Sequence, residues 1–134
     1  MPGVEDVRAY GLDRISQAEL AEFLSDNYPD LPAGAVRFEQ ATRSEKYGEP
    51  ATLIVILSVV ALKAFVSWLA LRPRNKRVSQ SLDIRLPDGT AISAKIDVAV
   101  PESGDVKPEL VKELLSLEGL TASAVDALKL ALSD

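Results

Sequence analysis

Between Ala51 and Leu71 the chain carries one charged residue, Lys63, in 21 positions, and the basic residues Arg72, Arg74, Lys76 and Arg77 follow at once. Pro50 suits the first turn of a helix and Pro73 its end, so the pattern predicts one long helix over 51–71. Such a helix is about 31 Å long, enough to cross hydrocarbon. The basic residues after it match a positive-inside stop, with the acidic N-terminal half outside. Three features oppose insertion. Lys63 sits near the centre, where it costs roughly 2.5–3.5 kcal/mol. The opening stretch, MPGVEDVRAYGLD, lacks the basic and apolar regions of a signal peptide. On a helical projection Glu49, Thr52, Lys63, Ser67 and Arg74 share one narrow side, interrupted by Ile56 and Val59. A thin polar stripe on an otherwise apolar helix suits a central helix covering a sheet. The favoured reading is thus a buried helix 51–71. The alternative is a membrane-associated component that inserts this helix and leaves residues 72–77 on the cytoplasmic side. Between them lies an apolar stripe that joins subunits.

The flanking segments predict what such a helix would cover. VRAYGLD, residues 7–13, reads as a short strand. In RISQAELAEFLSDNYPDLP, Ser16 and Glu19 have the spacing of a capping box, Ile15 is placed to staple to Leu20, and Leu20, Phe23 and Leu24 recur at helical spacing. Val36 and Phe38 alternate with Arg37 and Glu39, as in a half-exposed strand. Residues 81–100 form a hairpin, with alternating apolar residues on either side of Pro87, Asp88 and Gly89. Two helices follow, one over 108–118 and one capped by Thr121. The expected order is β-α-β-α-β-β-α-α. It implies an α+β fold in one domain over 1–134. A four-stranded, mostly antiparallel sheet carries two helices on one face, as a ferredoxin-like sandwich (β-α-β-α-β-β). The two C-terminal helices, within 105–134, form an extension at an edge or swap onto a partner.

Composition removes several chemistries. The 134 residues contain no Cys and no His, which excludes disulfides, thiol nucleophiles, Ser–His–Asp triads and the usual zinc ligands. Net charge is −5, which argues against nucleic acid as the partner. Ten of the 20 acidic residues but only five of the 15 basic ones lie in the first fifty positions. Asp26 and Asp30 read as a helix end and turn rather than cation ligands, and Asp83, Asp88 and Asp97 as hairpin surface and turn. No nucleophile, base and oxyanion donor assemble, so no catalytic residue, metal or cofactor is expected, and the chain is not expected to be an enzyme. The candidate interaction residues are Lys63 and Ser67 on the polar stripe, the sole tryptophan Trp68, and the basic group Arg72, Arg74, Lys76 and Arg77. That group could meet an acidic partner or anionic lipid.

Residues 59–97, VVALKAFVSWLALRPRNKRVSQSLDIRLPDGTAISAKID, resemble a small bacterial domain family, the effector-associated constant component. The shared features are a helix of small and apolar residues (Ala61, Leu62, Ala64) ending in Trp68 and Leu69, then Arg72 and Arg74, then a hairpin turning at Pro87, Asp88 and Gly89. The resemblance implies a non-enzymatic adaptor in a bacterial conflict or antiviral defence system, encoded beside variable effector modules. It carries no catalytic residues over. The expectation is therefore a cytoplasmic protein–protein interaction domain that forms homo-oligomers. Its candidate partners include an effector or protease module, and a membrane is the alternative partner and location.

Overall fold

The computed structural model describes residues 3–40, 53–73 and 75–133. The protein is α+β, with a five-stranded antiparallel sheet and four helices. In chain order these are β1 (Asp6–Tyr10), α1 (Arg14–Asn27), β2 (Val36–Gln40), β3 (Leu53–Leu57), α2 (Val59–Ala70), β4 (Arg77–Arg85), β5 (Ala91–Ala99), α3 (Lys107–Leu115) and α4 (Ala122–Leu132). The strand order is β2-β3-β1-β4-β5. The first six elements run β-α-β-β-α-β, the succession of a ferredoxin-like split unit, and β5 extends the sheet beyond β4.

The expected helix over 51–71 is the main correction. Residues 51 and 52 lie outside the described residues, and the rest divides into β3 and the twelve-residue α2. The expected four-stranded sheet therefore has five strands. Ser58 sits between the two elements at φ −72° and ψ 163°, an extended conformation that no continuing helix allows, and its N–H donates to the Ala35 carbonyl (2.8 Å). Leu-Ile-Val-Ile-Leu at 53–57 is dense in β-branched residues, which lose side-chain freedom in a helix and pack well on a sheet. From Ala61 onward the good helix formers Ala and Leu take over. β3 lies between β2 and β1. Val55 and Leu57 face the helices, while Ile56 on the opposite face pairs in register with Arg8 and Arg37 and is buried. A strand buried on both faces shows no alternation, so it runs into the following buried helix as one apolar stretch. No helix among the described residues is long and apolar enough to cross a membrane. Insertion of a helix over 51–71 thus loses the element that was to carry it.

Register places Val7, Ala9, Val55, Leu57, Val78, Leu82, Ile84, Ile96 and Val98 on one face of the sheet. They join a single buried cluster with Leu20 and Leu24 of α1, most of α2, Leu110 and Leu114 of α3, and Leu128 and Leu132 of α4. The two C-terminal helices thus belong to the core and are not an edge extension; α2 touches both of them. Local signals govern the ends of several elements. Thr121 caps α4 through its hydroxyl, which accepts from the Ala124 N–H (3.1 Å). The β4–β5 hairpin closes with Gly89 N–H donating to the Leu86 carbonyl (2.9 Å), and Gly89 has φ +94°. α1 starts earlier than the capping-box spacing implies. Asp13 is its N-cap and accepts from the Ser16 N–H (2.7 Å), which leaves the Ser16 and Glu19 side chains free of that role. Ile15 is largely exposed and staples nothing.

Candidate functional site

The last turn of α2 and the residues after it border several clefts. Three clefts converge on residues 67–72. One, about 500 Å³, lies between this turn and the loop 103–107, and is lined by Phe23, Ser67, Ala70 and Leu71. A second, also about 500 Å³, opens between the start of α1, the end of α2 and the first half of β4, lined by Ser16, Trp68, Arg72, Asn75, Arg77, Gln80 and Asp97 among others. The third, about 390 Å³, runs along α1 past Glu19, Glu22, Phe23 and Asp26 to Trp68, Leu71 and Arg72.

Arg72 is the hub. Its guanidinium carbon lies 4.7 Å from the centre of the Trp68 ring, a cation–π distance. It also donates to the Glu19 carboxylate and to the Ser16 hydroxyl (3.2 Å). Ser16 and Glu19 are three residues apart and share one face of α1, so the spacing expected to cap the helix binds an arginine just beyond the end of α2 instead. Trp68 supplies the rigid floor; it is 3% exposed and its ring centre lies 5.9 Å from that of Phe65. Beside it Leu71 is 67% exposed, an apolar side chain presented to solvent at the junction of two clefts. The chain then reverses sharply, with Asn75 at φ 55° and Lys76 at φ 62°, and enters β4. Asn tolerates this left-handed region better than Lys, whose longer side chain gives no local hydrogen-bond compensation.

The structure brings together some of the expected residues and separates others. Trp68, Arg72 and Arg77 line the second cleft. Arg77 is ion-paired there with Asp97 (2.9 Å). Ser67 lies on the first cleft, and its hydroxyl accepts from the Tyr28 hydroxyl (3.3 Å). Lys63 is half-buried one turn back along α2 and lines none of these three clefts. Lys76 is exposed in the reversing turn, and Arg74 lies outside the described residues. Within the described part of the basic group, Arg72 and Arg77 each have a carboxylate partner.

Sequence reading missed Leu71, Gln80 and the partners of Arg72. Gln80 is buried with core residues on either side of it in β4, and its amide donates to the carbonyls of Tyr10 (2.6 Å) and Ser81 (3.0 Å). A polar residue at an inward position of an alternating strand was a readable signal, but the expected hairpin began one residue later, at Ser81. The Ser16–Glu19–Arg72 group spans more than fifty residues of sequence and had no local signature.

The Tyr10 phenol and the Asp88 carboxyl, both outside these clefts, are displaced from their ordinary values. Burial raises the Tyr10 phenol, reinforced by its hydrogen bond to Asp83 (2.8 Å). The Thr90 N–H, donating to the Asp88 carboxylate (2.8 Å), lowers Asp88. No protein-family model, curated protein or solved structure matches this chain.

Proposed function

We propose that this protein is a non-enzymatic protein–protein interaction domain, working as a cytoplasmic adaptor in a bacterial conflict system. The observation that carries the interaction reading is the exposed Leu71 beside Arg72 on Trp68, where three clefts meet. Binding hot spots concentrate Trp and Arg around an apolar anchor rimmed by polar groups, and this turn has that chemistry. Glu19 and Ser16 hold the guanidinium before any partner arrives, so little side-chain freedom remains to be lost on binding. The conflict-system assignment rests on the resemblance over residues 59–97. Of its residues, Trp68, Leu69 and Arg72 line the second cleft, while Pro87, Asp88 and Gly89 form the turn at the far end of the β4–β5 hairpin.

The test is co-expression of the full chain with the effector or protease modules encoded beside its gene. One such module co-elutes with the wild type. Leu71→Asp abolishes co-elution while the thermal unfolding midpoint stays within a few degrees, because an exposed side chain contributes little to folding. If no neighbouring module is retained, or if Leu71→Asp retains it as well as the wild type, the reading fails.

A further inference from the structure

β5 is an edge strand of nine residues, paired on one side only, with β4. The phase of that pairing is set at both ends. Leu86 N–H donates to the Thr90 carbonyl and Val100 N–H donates to the Lys76 carbonyl (2.8 Å each). Between them Ile92, Ala94, Ile96 and Val98 face Ile84, Leu82, Gln80 and Val78 in the same phase. In an antiparallel ladder hydrogen-bonded pairs alternate with non-bonded ones. The even-numbered residues of β5 therefore bond to β4, and residues 91, 93, 95, 97 and 99 aim their N–H and C=O groups away from the sheet. All five are exposed, and among the described residues none of these outward backbone groups has a partner. Unpaired strand edges of this length are ready templates for another strand.

We propose that β5 pairs antiparallel with β5 of a second copy of this chain, about a two-fold axis at Ile96, and joins two sheets into one of ten strands. The occupant follows from charge. Outward groups can bond only odd residue to odd residue, which leaves few registers. Full overlap sets Lys95 against the partner's Lys95, and like charges directly opposite are unfavourable. A shift one way sets Lys95 against serine. A shift the other way sets Lys95 against the partner's Asp97 and Asp97 against the partner's Lys95, with Ser93 facing the partner's Ala99. A lysine in mid-strand ordinarily blocks edge pairing. Here it blocks the full-overlap register and selects the one with two opposite-charge pairs. Asp97 already receives Arg77 from β4, so each carboxylate then lies between two cations. The pairing draws on Asp97 at the margin of the second cleft, leaves the other two clefts untouched, and goes beyond the adaptor reading.

The experiment measures the mass of the full chain in solution by light scattering across micromolar concentrations. The wild type is a dimer, weakened by salt because the charge pairs lie on the solvent face. Lys95→Asp and Asp97→Lys each raise the dissociation constant about tenfold or more, and the double exchange recovers most of the loss. A second measurement fixes the register in this cysteine-free chain. Ser93 and Ala99 of one copy lie about 20 Å apart along the strand, too far to join, but across the dimer they face each other at about 5.5 Å between Cα atoms. The variant carrying both Ser93→Cys and Ala99→Cys forms a covalent dimer on mild oxidation. A monomeric wild type, a dimer indifferent to both charge reversals, or a double-cysteine variant that stays single-chain on oxidation overturns the proposal.

Discussion

Proline at position 59 distinguishes a single long helix from the strand and helix observed here. In a helix over 51–71, Val59 would be interior. Proline there would remove a hydrogen bond and clash with the preceding turn, costing about 3 kcal/mol or more. In the structure Val59 is the first residue of α2. Its N–H belongs to the first turn, which has no intrahelical acceptor, and proline is favoured at that position. The residue before a proline must be extended, and Ser58 already has ψ 163°. Losing the half-buried valine side chain costs under about 1 kcal/mol, and restricting the unfolded chain returns about 0.4–1 kcal/mol. Val59→Pro should therefore fall within about 1 kcal/mol of the wild type, a shift of at most about 5 °C in Tm. Lys63→Pro, inside α2, is the control and should lose about 3 kcal/mol or more. Urea unfolding followed by the fluorescence of Trp68, the sole and buried tryptophan, reads both variants. Equal losses for the two would refute the division at Ser58.

Gly89→Val should destabilise by about 1–3 kcal/mol, and Gly89→Asn by much less, because φ is +94° while a Cβ there would meet nothing within 4 Å; equal melting temperatures for the two would contradict this. Gly3→Ala should lower stability by about 1–3 kcal/mol through a different cause, since its Cβ would collide with the Ser123 carbonyl at the start of α4; an unchanged urea midpoint would count against that packing. Tyr10 should show an alkaline effect. Its folded pKa is raised above the ordinary phenol value of 10.0, so its contribution is complete below that pH and is lost as pH rises through the folded value. Tyr10→Phe should accordingly flatten the fall in stability above pH 10, measured by urea unfolding across alkaline buffers. The Asp88 carboxyl should titrate by NMR below 3.8, and a midpoint at or above that value would remove the role assigned to the Thr90 N–H.

Much of the fold was legible because its signals are local. Alternation around Pro87, Asp88 and Gly89 specifies the hairpin, the spacing of Leu20 and Leu24 specifies α1, and Thr121 marks the start of α4 whatever surrounds it. The run from Leu53 to Ala70 was not legible by periodicity. An interior strand and a core helix both bury nearly every side chain, so neither shows a polar phase that would tell a period of two from one near four. What separates them is the extended Ser58, whose N–H is bound by Ala35 from another part of the chain. The candidate site divides in the same way. Trp68, Arg72 and Arg77 stood out as residue types, but their grouping depended on α1 packing beside α2 and on β4 returning past the end of α2. A Ser and a Glu three apart can cap a helix or hold a guanidinium equally well. Only the packing that brings Arg72 onto the same face of α1 decides between them, because a hydrogen bond goes to the nearest competent partner and nearness is set by tertiary structure.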